Sequence, residues 1–118
     1  MDYLSTRDKT LALSAAEAIK MGLSRDGGLF TPARFPSISP LELEAMCEMS
    51  YQQRCAYVMG LFLDDFTPEE VSDFALRAYG PEKFDDPAVA PLRRVGGKTW
   101  CLELWHGPTS AFKDMALQ

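Results

Sequence analysis

The chain has 118 residues, 47% of them hydrophobic and 25% charged, with 17 acidic against 12 basic side chains and a net charge of −5. A chain of this size buries about two-thirds of its unfolded surface, enough for one modest core. The acidic balance excludes the basic face that a nucleic-acid binder presents. No charged start with an apolar core resembles a signal peptide, and the longest apolar run, Tyr57 to Leu63, is too short to span a bilayer. A soluble, cytoplasmic chain with no membrane and no nucleic-acid partner is expected.

Tyr3 to Arg7 reads as a short edge strand, and its Ser5, Thr6 and Arg7 suit the lining of a substrate cleft, since arginine holds phosphate bidentately. Ser14 and Glu17 form a capping box, and Gly22 with Leu23 reads as a Schellman-type stop. Asp26-Gly27-Gly28 invites a phosphate-loop reading, because glycines let backbone N–H groups approach an anion. It lacks a following lysine and a clear preceding strand, so a tight turn is the better reading. Ser39-Pro40 with Glu42, Ser50 with Gln53, and Thr67-Pro68 with Glu70 mark three more helix starts. After Ser50, Tyr51, Cys55, Val58, Met59 and Phe62 follow the helical period. After Pro68, Val71, Phe74, Ala75 and Ala78 form the buried stripe, and Gly80-Pro81 ends it. Glu69, Glu70 and Asp73 are then its solvated face.

Asp85 to Pro91 is predicted to be a flexible connector. Beyond it, Gly96-Gly97 predicts a hairpin between Leu92–Val95 and Thr99–Trp105. Large apolar groups stand on both faces of the second arm, so each face is expected to pack against something. Cys47, Cys55 and Cys101 match no metal-ligand spacing; no metal site is expected, and Cys47 and Cys55 suit reduced core thiols.

The last segment carries the chemistry. A strand-like run gives way to Gly107-Pro108 and a helix start, with Thr109 or Ser110 as N-cap and Ala111, Phe112 and Lys113 in the first turn. The positive end of the helix dipole and the apolar Phe112 disfavour an ammonium there, which makes Lys113 a candidate nucleophile toward an aldehyde. Asp114 points away from Lys113 and leaves this unchanged. A solvated lysine at a helix start is the competing reading of the same residues. His106 suits either phosphate or cofactor positioning or a plain turn. Met115 to Gln118 continue a helical pattern without a cap, so the chain reads as cut just after the lysine.

His106-Gly107-Pro108-Thr109-Ser110-Ala111-Phe112-Lys113-Asp114 resembles the pyridoxal-phosphate lysine motif of threonine synthases. Tyr3-Leu4-Ser5-Thr6-Arg7 and Gly22 to Pro32 resemble that family's opening strand and the loop after its first helix. Ser50-Tyr51, Asp64-Asp65-Phe66, Ala78-Tyr79 and Lys83-Phe84 follow in the family's order, so the likeness runs from near residue 2 to residue 118. The resemblance implies an α+β fold: a small helix-rich amino-terminal domain with a short β-hairpin, truncated from a fold-type-II pyridoxal-phosphate enzyme. Residues 1–90 would form the helix-rich domain, and residues 91–118 the hairpin and the start of the lysine helix.

The same resemblance implies a lyase that converts O-phospho-L-homoserine and water to L-threonine and phosphate. Lys113 would be both the catalytic residue and the covalent holder of pyridoxal 5'-phosphate, with His106, Thr109, Phe112 and Asp114 in support. The remaining contacts would come from the rest of the same polypeptide, so this piece alone would be inactive. Two rival expectations are a threonine-synthase-like phospho-lyase acting on a related substrate and a stand-alone, non-catalytic interaction module.

Overall fold

A computed structural model describes all 118 residues, in the order β1 (Tyr3–Ser5), β2 (Ala12–Leu13), α1 (Ala15–Met21), β3 (Phe30–Pro32), α2 (Pro40–Cys47), α3 (Tyr51–Gly60), α4 (Pro68–Ala78), β4 (Leu92–Gly96), β5 (Thr99–Leu102) and α5 (Asp114–Leu117). The four predicted capping boxes all form. Ser14, Ser39, Ser50 and Thr67 each accept from the backbone N–H three residues on, and Glu17, Glu42, Gln53 and Glu70 reach back to the cap. Each such cap is worth about 1 kcal/mol, because it satisfies N–H groups that the first helical turn leaves unpaired. In α2 the arrangement holds the Glu42 carboxyl down at about 2, through Ser39 first and the Tyr57 hydroxyl after it. Helix α1 gains a further acceptor, the Asp65 carboxylate, 2.8 Å from the Ala16 N. Its stop differs from the Schellman expectation. Gly22 has φ 73° and ψ −78°, and the Leu23 N–H turns back to the Met21 carbonyl in a γ-turn.

Tyr3 to Ser5 is not an edge. It is the centre of a three-stranded antiparallel sheet, with Tyr3 opposite both Leu13 and Pro32. The flanking strands escape a pattern search because one is two residues long and the other ends in proline, which an edge tolerates. The Tyr3 hydroxyl donates to the Phe62 carbonyl, so the sheet is fastened to the end of α3. Ala15, Leu63 and Val71 form the buried core, with Tyr3, Ala56 and Phe66 against it, and α3 packs on α4.

Residues 85–91 are not a flexible connector. Val89 is 1% exposed, and its N–H reaches the Asp86 carbonyl at 2.8 Å. Its φ of 59° is an unfavourable conformation for a β-branched residue and is held by this packing. The hairpin forms as expected, β4 antiparallel to β5, with Gly97 at φ 50° in its turn. Its faces remain open, however: Leu92, Val95, Trp100 and Leu102 are all more than half exposed. Phe74 is also 44% exposed rather than part of a buried stripe. Of the thiols, Cys47 is exposed and Cys55 half-buried, so neither is a core residue. No helix is long and apolar enough to cross a membrane.

Candidate functional site

The lysine segment is built differently from the helix start that its sequence suggests. Ser110 has φ 55°, and its N–H closes a turn onto the Gly107 carbonyl. The next bonds, Asp114 to Ala111 and Met115 to Phe112, skip three residues, as in a tight 3-10 turn. Helix α5 therefore starts at Asp114, and Lys113 sits before it, at φ −62° and ψ −26°, with no side-chain cap. Thr109 and Ser110 do not cap the helix. Thr109 is instead the donor, its N–H and hydroxyl lying 2.9 and 2.8 Å from the two oxygens of Asp114. A helix of four residues has only a small dipole, so the first-turn field invoked for Lys113 is weak.

Asp114 organises this turn. It is 3% exposed; burial pushes its carboxyl up, but hydrogen bonds led by the Thr109 N–H and hydroxyl, with Ala111 and Gln118 after them, together hold it below the usual range. A charged acceptor with two donors is the strong form of this bond. Gly107 makes room for it: a Cβ there would lie 2.5 Å from the Asp114 Cβ and 2.7 Å from Oδ2. The absence of a side chain, rather than a special φ, is what this position requires. Lys113 and Phe112 are left exposed, Phe112 at 67%, and the Lys113 amine has no partner within the chain. Tyr79, which the sequence marked only within the family resemblance and not as a site residue, donates its hydroxyl to the Met115 carbonyl at 2.7 Å.

His106 enters the turn between two carboxylates, Nδ1 2.6 Å from Asp85 and Nε2 2.8 Å from Glu103. Its carbonyl accepts from the Asp85 N–H, and the Trp105 ring stacks on its own ring at 5.7 Å. Arg93 bridges Asp86 and Glu103 at 3.2 and 3.7 Å, so the 85–86 turn, β4 and the end of β5 are tied together. Both ring nitrogens are engaged within the chain, which suits His106 to holding the strand–turn junction. Glu103 and then Asp85 raise its pKa above the ordinary 6.5. The favoured form is the imidazolium, so its stabilising contribution is fully present below pH 6.5 and is lost as pH rises through the raised value. Denaturant unfolding at a series of pH values should therefore show the largest gap between the unsubstituted protein and His106→Gln on the acid side. A gap that widens on the alkaline side would contradict the assignment.

Ser5 and Arg7 prove to be partners of Asp26, and Thr6 of Leu29, just after Asp26-Gly27-Gly28. The Asp26 carboxylate accepts from the Ser5 hydroxyl at 2.8 Å and the Gly28 N–H at 2.8 Å, and these donors, Gly28 first, hold its carboxyl low. Arg7 donates to the Asp26 carbonyl at 3.0 Å, and the Thr6 hydroxyl accepts from the Leu29 N–H. A Cβ at Gly28 would collide with the Ser5 oxygen. The expected tight turn is present, and the polar cluster closes it.

A family model described as threonine synthase N terminus matches residues 2–79. The threonine synthase of Corynebacterium glutamicum is 36% identical over 123 residues, which span all of this chain and 26% of that protein. The human protein named threonine synthase-like 1 is also 36% identical, over 98% of this chain and 17% of its own length. The solved structure of PLP-bound threonine synthase from Brucella melitensis matches with a TM-score of 0.89 at 35% identity, covering 97% of this chain and 24% of that one. The chain spans about a quarter of the length of the threonine synthases it matches. With the family's amino-terminal model across residues 2–79 and a backbone that follows a solved threonine synthase over nearly its whole length, the chain belongs to the threonine synthase family.

Proposed function

We propose that this chain is the lysine-bearing amino-terminal part of a threonine synthase. The whole enzyme converts O-phospho-L-homoserine and water to L-threonine and phosphate in the cytoplasm, where free thiols such as its three cysteines persist. Residues 1–90 form the helix-rich domain, and residues 91–118 lead into a large fold-type-II domain that supplies the remaining cofactor and substrate contacts. The chain alone is inactive.

The observation that carries this reading is the buried Asp114, which fastens the Gly107–Lys113 turn while leaving the lysine amine exposed and unpaired. That donor set fits pyridoxal phosphate, whose aldehyde needs a free primary amine. When bound, the cofactor supplies the electron sink that stabilises negative charge on the substrate. Lys113 would hold it covalently and, once displaced by the substrate amine, carry protons at the substrate's α and β carbons. Thr109 and Asp114 set the turn from which that amine projects, and Phe112 offers an apolar surface beside it. His106 anchors the preceding strand.

Borohydride reduction of the full-length protein with its cofactor, followed by peptide mapping, is expected to place the label on Lys113. Label on Lys98 or Lys83 with Lys113 unmodified would overturn the site. A second reading is a threonine-synthase-like phospho-lyase acting on a related phosphorylated amino acid. Threonine production from O-phospho-L-homoserine separates the two.

A further inference from the structure

Helix α5 is four residues long, has no side-chain cap at its start and exposes Leu117, so nothing in its own sequence makes it stable in isolation. The turn before it is closed by bonds among its own residues: Ser110 to Gly107, Thr109 to Asp114, and Asp114 to Ala111. These internal bonds shape residues 107–118 but do not locate them in the molecule. Only one hydrogen bond joins that segment to the remainder of the chain, from the Tyr79 hydroxyl to the Met115 carbonyl at 2.7 Å, across 36 residues.

Tyr79 is well placed for the task. It follows the last turn of α4, and its own carbonyl accepts from the Gln52 side chain at 2.6 Å. Its ring lies edge-on to Tyr51 at 5.1 Å and tilted against Phe84 at 5.7 Å, and Phe84 is 3% exposed. The ring is thus held by two aromatic neighbours, and the backbone by Gln52, before the hydroxyl reaches α5. Burial, with Cys55 nearby, raises the phenol pKa, so the hydroxyl remains a donor throughout the neutral range. Met115 is two residues beyond Lys113, and the Lys113 carbonyl accepts from the Ala116 and Leu117 N–H groups. Any shift of the Met115 peptide therefore carries the lysine backbone with it.

We propose that Tyr79 is a positioning residue for Lys113, its hydroxyl fixing the register of the lysine turn against the α3–α4 pair. This rests on the reading of Lys113 as the reactive amine. A displacement of about 1 Å at a reacting group costs on the order of a hundredfold in rate, so a lost tether acts on turnover more than on substrate capture.

The test uses the full-length holoenzyme carrying Tyr79→Phe, which keeps the ring and removes only the hydroxyl. Its kcat is expected to fall roughly 10- to 100-fold while KM stays within about twofold. Amide exchange at Ala116 and Leu117 is expected to accelerate, with exchange in α3 and α4 unchanged. Tyr51→Phe, whose hydroxyl makes no hydrogen bond in the chain, serves as the control and is expected to leave all three quantities unchanged. Unchanged kcat in Tyr79→Phe overturns the proposal. So does faster exchange throughout α3 and α4 with a lowered melting temperature, because that marks a packing role. Borohydride label at Lys113 in the unsubstituted enzyme is measured alongside; its absence there overturns the function reading, and this proposal with it, whatever Tyr79→Phe shows.

Discussion

Lys113→Ala in the full-length enzyme is expected to abolish threonine formation and leave the fold intact. The fold should survive because the side chain is exposed and makes no bond within the chain; substitutions of that kind usually stay within about 0.5 kcal/mol. Activity should not, because on the proposed reading the amine both holds the cofactor and moves protons at the substrate carbons. Lys113→Arg should fail as well, since a guanidinium remains protonated and cannot act as the nucleophile. A solvated lysine with no chemistry makes the opposite forecast: either replacement would be silent. Phosphate release from O-phospho-L-homoserine decides between them. Either variant retaining more than about a hundredth of the original rate, a barrier change of less than about 2.7 kcal/mol, would remove Lys113 as the covalent catalyst.

The parts of this molecule that could be read from sequence are those whose physics is local. A cap residue and its partner are three positions apart, so all four helix starts were legible from Ser14, Ser39, Ser50 and Thr67. The hairpin at Gly96-Gly97 is equally local. The apolar residues on both faces of the second arm also announced faces that need covering, and Trp100, Leu102 and Trp105 are left largely exposed. What escaped depends on residues far apart or on competition with helix formation. Thr109 looks like an N-cap, yet its N–H and hydroxyl are taken by Asp114, and a short side chain that bonds nearby backbone favours a turn over a helix. The left-handed Ser110 then delays the helix to Asp114. The role of Tyr79 gave no local sign, although Ala78-Tyr79 belongs to the family resemblance, because its partner lies 36 residues on. Asp26-Gly27-Gly28 and Ser5 were each legible as separate features, whereas their union is a tertiary fact. The supposed connector at 85–91 reads as polar and proline-bearing, but its one β-branched residue, Val89, is the anchor.

The isolated 118-residue chain is expected to melt without a cooperative transition and to bind a hydrophobic dye, although its caps alone argue for a compact unit. Its accessible surface is 8351 Å2, where a compact protein of its mass exposes roughly 6,400 Å2. Its radius of gyration is 16.5 Å against about 13.5 Å for a globular chain of this length. Only 14 of the 118 residues are buried, and the central cluster contains three. Eighteen large apolar side chains stand more than a third exposed, among them both tryptophans. The excess surface, near 1,900 Å2, exceeds the roughly 800 Å2 that one partner gives to an ordinary protein interface. Helices, a small sheet and a hairpin around so small a core have little to set against the ordering cost of the backbone, about 1–2 kcal/mol per residue. The same surface argues against a self-sufficient interaction module, which would need a core of its own before it could present a binding face. Circular dichroism should show helix at low temperature with a broad, shallow melt, and dye fluorescence should collapse when the chain is embedded in the full-length enzyme. One sharp transition at a concentration-independent temperature, with no dye binding, would show that the 118 residues are a complete folding unit and would restore the module reading.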